Sequence, residues 1–159
     1  MRIKLTIELI PQSTWGKNCR SMLTTNQWNY LKKQIVSAAD NVCQICKGED
    51  ITLDCHEEWG YNYHKRIQYL KSLKAICKLC HYAKHFGRTK VVESQEVFNL
   101  TYSHILRVNK MTPAQFVDYM IDIETEQGIR TQVNWTVNIN KVNDYLPSYL
   151  QYDGNQKRR

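Results

Sequence analysis

Apolar and polar residues alternate from the start of the chain. Ile3, Leu5, Ile7 and Leu9 fall on one side and Arg2, Lys4, Thr6 and Glu8 on the other, which predicts a half-buried strand stopped by Pro11. Residues 12–21 read as a loop anchored by Trp15, with Cys19 as a small buried hydrophobe. Thr24 and Gln27 form a capping box, and Trp28, Leu31, Ile35 and Ala38 follow at helical spacing, predicting a helix over about 25–39 with Lys32 and Lys33 on its other face. Residues 51–56 alternate and read as a short strand, made into a hairpin by the turn before it. An aromatic-rich loop is expected over 57–65. Ile67, Leu70, Leu73 and Ile76, spaced by three, predict a helical turn after it. A helix over 77–86 sets His81 and His85 on one face, with Gly87 placed to end it.

Beyond residue 90 the pattern is helical. Val97, Leu100, Tyr102 and Ile105 mark a helix over 93–108. Thr112, Pro113 and Gln115 supply an N-cap, an N1 proline and a capping-box partner for a further helix, with Phe116, Val117, Met120 and Ile121 as its buried stripe and Gly128 closing it. Residues 131–139 alternate again, with Val133, Trp135, Val137 and Ile139 inward, in a strand able to pair with the first. The elements give an α+β chain with an N-terminal strand and helix and a C-terminal helical pair plus strand. Residues 1–150 make a single domain, of which 91–140 are the helical extension and strand, and 151–159 are a basic tail ending in Lys157, Arg158 and Arg159.

Composition narrows the class. A chain of 159 residues fits one domain with a real core. No apolar run approaches the length of a membrane span, and the first residues lack a signal-peptide hydrophobic region, so an intracellular, cytoplasmic protein without membrane contact is expected. In that reducing compartment, cysteines in Cys-x₂-Cys spacing read as metal thiolates rather than cystines. The net charge of +7 is unevenly placed. Lys65, Arg66, Lys71, Lys74, Lys78, Lys84, Arg88 and Lys90 succeed one another with no acid between them, the footprint of a polyphosphate-binding face and of nucleic acid, DNA above all, as partner. The exposed apolar residues of the 93–128 helices are the alternative, a surface for a protein partner.

The chemistry concentrates in residues 42–87. Cys43 and Cys46 form one Cys-x₂-Cys pair and Cys77 and Cys80 another, a set of four thiolates for a structural Zn²⁺. Between and just after the pairs lie Asp54, Cys55, His56, Glu57, His81 and His85. A hydrolytic centre on a phosphodiester needs a base for water, a cation for the developing charge and groups that hold the strand, and these residue types supply each. His64 and His104 have no partner in the sequence and read as ordinary histidines.

The order Cys-x₂-Cys, strand ending at His56, then Leu-x-x-x-Cys-x-x-Cys-His-x-x-Lys over 73–84 resembles the HNH endonucleases, the zinc-stapled branch of the ββα-metal nucleases, over roughly residues 42–87. The wider order of elements looks like bacterial and phage HNH-like proteins over the full chain. The resemblance implies a ββα-metal core, His56 as general base, His81 as ligand of a catalytic divalent ion (Mg²⁺, Mn²⁺, Ni²⁺ or Zn²⁺), and Ser72 where the family carries Asn. Cys55 stands where the family commonly has an acidic ligand. Three arrangements follow for the second ion: Asp54 or Glu57 supplies a carboxylate, with Cys55 alongside only for a soft ion; His85 joins His81 around a transition metal; or the chain is a catalytically silent zinc scaffold that binds nucleic acid or a partner protein, for example in phage or bacterial defence.

Overall fold

A computed structural model describes residues 3–49 and 52–154. Arg2, Ile51 and the basic end at Lys157, Arg158 and Arg159, all named in the expectations above, lie outside them. The order is α1 (Cys19–Met22), α2 (Thr25–Ala38), β1 (Leu53–Asn62), β2 (Ile67–Cys77), α3 (Lys78–Lys84), α4 (Phe86–Val92), α5 (Gln95–Asn109), α6 (Pro113–Thr131) and β3 (Thr136–Asn138), with short 3₁₀ turns at Gln12–Thr14, Asn140–Asp144 and Ser148–Leu150. The sheet has the order β1-β2-β3, antiparallel between β1 and β2 and parallel between β2 and β3. The chain is α+β, as the patterning predicts.

The caps read from sequence are present. Thr24 accepts from the Gln27 amide while the Gln27 side chain takes the Thr24 amide, and Thr112 with Gln115 repeats the device ahead of α6. Ser94 opens α5 in the same way, accepting from the Val97 amide.

The first expected strand is not one. Residues 3–10 run extended, with Leu5 and Ile7 buried as the alternation predicts, yet they join no ladder. Their backbone groups are satisfied mainly by helix side chains instead. Asn109 accepts from the amides of Lys4 and Leu5 (2.9 and 2.8 Å) and donates to the Leu5 carbonyl (2.9 Å). The Tyr119 hydroxyl accepts from the Ile7 amide, and Arg130 and Gln127 donate to the carbonyls of Leu9 and Ile10. Much of the segment's backbone is thus committed to α5 and α6, and the Glu8 amide to the Lys84 carbonyl, rather than to β3. Accordingly β3 pairs with β2, Ile67 opposite Thr136, and is only three residues long. Trp15, expected as an anchor, is 67 % exposed.

The hairpin is longer than expected and lies one connection later. It is β1 with β2, not a strand with the preceding turn, and it absorbs both the expected aromatic loop and the expected helical turn. Asn62 takes the Lys65 amide in its side chain and Arg66 adopts φ 54°, which closes the connection. At Gly60 the backbone passes under Tyr69, and a Cβ would come within 2.3 Å of that ring, so any larger residue requires the tyrosine to move.

Further along, His85 at φ −100°, ψ 39° breaks the helix before Gly87 can, separating α3 from α4, and Gly87 sits within α4. Gly128 likewise does not close α6, which continues to Thr131. The buried stripe of α6 is rotated from the expected one: Phe116 is buried and Tyr119, Met120 and Ile123 pack behind it, whereas Val117 and Ile121 are each 57 % exposed.

Two apolar clusters result. One gathers Leu5, Ile7, Ile45, Leu53, Ile76, Ala83, Phe86 and Ile105 around the cysteines; the other gathers Cys19, Leu23, Leu31, Leu70, Leu73, Ile139 and Val142. Cys19 is fully buried in the second, as read from sequence. Among the described residues, no helix is long and apolar enough to cross a membrane.

Candidate metal centre

The two cysteine pairs converge. Cys43 and Cys46 sit on a turn closed by Cys43 N–H to the Gly48 carbonyl and Lys47 N–H to the Cys43 carbonyl, with Lys47 at φ 63°. Cys77 ends β2 as the N-cap of α3, and Cys80 lies in that helix's first turn. The Sγ atoms of Cys43 and Cys80 are 3.8 Å apart and those of Cys46 and Cys77 3.7 Å. A tetrahedral zinc with Zn–S near 2.3 Å has S···S edges of about 3.8 Å, so the donor set fits Zn²⁺. Such an ion would staple the turn ahead of β1 to the junction of β2 and α3.

Behind the four cysteines stands His104, which sequence gave no partner. Its Nε2 is 3.2 Å from Cys80 Sγ, and its Nδ1 is 2.9 Å from an Arg107 guanidinium nitrogen. Because Arg107 can only donate, Nδ1 must accept, which leaves Nε2 as the N–H that points at the Cys80 sulfur. The ring is buried, and desolvation followed by the Arg107 charge lowers its pKa, keeping it neutral.

The second cluster is made of imidazoles. His56 on β1 and His81 and His85 on and just after α3 bring ligand nitrogens within 4.8 Å of one another, with ring centroids 5.4 Å (His56–His81), 5.1 Å (His56–His85) and 5.1 Å (His81–His85) apart. His81 and His85 share a face, as the one-turn spacing predicts. Asp54 accepts from or ion-pairs with His81 Nδ1 at 2.9 Å, leaving Nε2 for the cluster; Glu8 lies 3.3 Å from His56 Nε2. Carboxylates behind histidines in this way fix ring orientation at metal sites. Burial lowers the His85 pKa to about 4, aided by His56 and His81, and burial lowers His81 against the pull of Asp54. Both rings therefore stay neutral, ready to donate lone pairs, through the physiological range.

Glu8 is tied in further. Lys84 Nζ donates to Thr6 Oγ1 (2.8 Å), Glu8 Oε1 (2.9 Å) and Glu58 Oε1 (3.5 Å). Glu58 also takes Ser72 Oγ (2.8 Å) and Lys74 Nζ (2.9 Å). Burial raises both carboxyls, but His56 and Lys84 overcome it at Glu8, and Lys74, Ser72 and Lys84 overcome it at Glu58, whose pKa falls to about 2.

Several expected residues lie elsewhere. Lys84 is no nucleic-acid contact: at 1 % exposure its ammonium is consumed inside the fold. Cys55 lies outside the histidine cluster, since successive residues of β1 point to opposite faces. It packs with Trp59 against the Leu70–Leu73 cluster, where burial raises its thiol to about 12. Glu57, on that same face, accepts from the Cys19 amide at 2.7 Å, and burial raises its carboxyl. Ser72 bonds Glu58 rather than His56. Of the remaining basic run, Lys65, Arg66, Lys71, Lys78, Arg88 and Lys90 are exposed and Lys74 is half-buried. Lys78 and Arg88 border a cavity of about 320 Å³ in front of His81 and His85; Lys71 and Lys74 line a separate one of about 660 Å³ with Lys4 and Lys47.

Glu8 and His104 escaped the sequence reading because each meets its partner across a long stretch of chain, with no local spacing to announce it. Comparison with family models, with curated proteins and with solved structures finds no match to this chain.

Proposed function

We propose that this protein is an HNH-like, metal-dependent nuclease acting on DNA. The observation that carries the reading is the convergence of His56, His81 and His85 beside four cysteines at zinc spacing. The hairpin-then-helix order of β1, β2 and α3 and the cations Lys78 and Arg88 at the mouth of the same cluster support it. In this reading the Cys43–Cys46–Cys77–Cys80 zinc holds the hairpin against α3 and takes no part in the reaction. His81 and His85 would hold the second ion, and two imidazole donors favour Zn²⁺, Ni²⁺ or Mn²⁺ over Mg²⁺, which prefers oxygen. Such an ion supplies Lewis-acid stabilisation of charge on the scissile phosphate. His56, its ring oriented by Glu8, removes the proton from the attacking water, and Lys78 and Arg88 hold the flanking phosphates.

The test uses the full chain, purified with its zinc, and incubated with supercoiled plasmid and single-stranded DNA over Mg²⁺, Mn²⁺, Ni²⁺ and Zn²⁺. Cleavage is expected with a transition metal. It should fall by a factor of about 100 or more in His56→Ala, the usual scale for losing a general base, and in His81→Ala. Metal analysis should find His81→Ala still holding one zinc per chain. Absence of cleavage with every ion, or cleavage indifferent to His56→Ala, rejects the reading and leaves a zinc scaffold that binds without turnover.

A further inference from the structure

Around the corner from the histidine cluster, a cavity of about 580 Å³ is walled by Leu9, Ile10, Trp15, Val91 and Val92, with Arg88 and Glu8 also lining it. Ligand pockets commonly fall between about 300 and 1,000 Å³. Its walls are open to solvent: Trp15 is 67 %, Val91 82 % and Val92 57 % exposed. Exposed aromatic side chains are ordinarily free to turn, but this one is held. The Trp15 indole N–H donates to the Ile10 carbonyl at 2.9 Å, and its backbone amide closes the 3₁₀ turn onto Gln12 at 3.2 Å. The ring is thus fixed in position with most of its surface unburied.

The placement gives the cavity a direction. His85 and Arg88 line it and also line the cavity that contains His81, Lys78 and Asp54. One cleft presents Lys78 and Arg88 beside candidate metal ligands, with Asp54 and Glu93 also in its wall; the other is mostly apolar, with Trp15 as its aromatic side. They meet along the same two side chains. A nucleotide has this polarity, an anionic phosphate joined to a flat apolar ring. We propose that the Trp15–Val91–Val92 cleft receives an unpaired nucleobase next to the phosphate held at Lys78 and Arg88, which makes single-stranded or locally opened nucleic acid the substrate class. Within a duplex each base face is already covered by its neighbours, so a protein indole stacks only on a base that has left the helix. The inference rests on the nucleic-acid reading above but does not require hydrolysis.

Binding of a fluorescein-labelled single-stranded 12-mer and of its duplex is measured by anisotropy at low salt, with no divalent ion added, for the zinc-loaded wild type, Trp15→Phe and Trp15→Ala. Trp15→Ala is expected to weaken single-strand binding about tenfold, equivalent to about 1.4 kcal/mol, and Trp15→Phe by less than about threefold. Duplex binding should stay unchanged in both. An abasic residue moved along the 12-mer should erase the Trp15 effect at one position only. Equal losses on single strand and duplex, no loss in Trp15→Ala, or no single-strand binding by the wild type each overturn the proposal. So does sedimentation showing a wild-type dimer that Trp15→Ala dissociates, since the cleft would then be covered by a second copy. Trp15-dependent binding without cleavage by any ion supports the cleft while rejecting the hydrolase.

Discussion

Replacing Lys84 by methionine separates two incompatible accounts of the basic run between Lys65 and Lys90. The ammonium is 1 % exposed and has three donors, which meet Thr6, Glu8 and Glu58. Lys84→Met keeps the aliphatic volume but takes the ammonium from two carboxylates that are themselves only 17 % exposed, leaving Glu8 with His56 alone while Glu58 keeps Ser72 and Lys74. Breaking a buried ion pair by removing one partner costs about 3–5 kcal/mol. For a chain of this size each kcal/mol lowers Tm by about 2–4 °C, so a fall of about 6–20 °C is expected in calorimetry at pH 7. Glu8 and Glu58 both have carboxyl pKa values depressed below the ordinary 4.5. Their contribution is therefore complete above pH 4.5 and is lost as pH falls through their folded values, toward about 2 for Glu58. The gap between variant and wild type should accordingly narrow below pH 4.5. The triple variant Glu8→Gln, Glu58→Gln, Lys84→Met should recover part of the loss, because no buried carboxylate is left short of its ammonium and the freed Lys74 reaches solvent. A surface phosphate contact predicts the reverse pattern, an unchanged Tm and a salt slope of DNA binding reduced by about 0.9. A Lys84→Met protein melting within 2 °C of wild type would refute the buried network.

Removing the N–H that His104 aims at Cys80 Sγ should loosen the zinc staple: His104→Ala is expected to lower zinc affinity about 10- to 100-fold in chelator competition, and unchanged affinity would show that the contact does not tune the site. Ion binding at His81 and His85 should resist acid, because protons compete at the folded pKa values, lowered from 6.5 and reaching about 4 at His85. Titrating Co²⁺ into zinc-loaded protein should therefore show affinity holding through pH 6.5 and fading toward pH 4, whereas half-loss at pH 6.5 would mean ordinary, solvated imidazoles. Asn109→Ala leaves the amides of Lys4 and Leu5 and the Leu5 carbonyl without partners. At about 1–3 kcal/mol for a buried group left unmade, a total near 3 kcal/mol is expected in urea unfolding; a loss under 1 kcal/mol would show that β-like pairing, not Asn109, holds the first segment.

What the sequence disclosed was local. A Cys-x₂-Cys turn needs only four residues to aim two sulfurs one way, and a capping box only four to start a helix, so the staple and the starts of α2 and α6 were legible. The pair of His81 on α3 and His85 just after it was legible for the same reason, being four residues apart. The network that surrounds it was not. Glu8 and Lys84 are brought together by the packing of an extended segment that has side chains for hydrogen-bond partners, and nothing in an alternating Leu5–Ile7 pattern distinguishes that from a strand in a sheet.

The misreading of β2 as helical has a definite physical origin. The register runs Glu58 opposite Ser72 and then Trp59 opposite Leu70, so Lys71 is an extra residue on β2. Before it the buried positions are Gln68 and Leu70; after it they are Leu73 and Ala75, and the strand end, Ala75, Ile76 and Cys77, is buried throughout. Up to Ala75 each run alternates with period two, but the bulge slips the phase by one residue and turns the step from Leu70 to Leu73 into a spacing of three; with Ile76 buried as well, the series imitates a helix. On β1, which carries no extra residue, simple alternation decides where the acids point. It turns His56 and Glu58 toward Glu8 and Lys84, while Cys55 and Trp59 pack against the other cluster and Glu57 meets the Cys19 amide. The extra residue thus hid β2 from a pattern reading while β1 kept the regular alternation that puts His56 and Glu58 on one face.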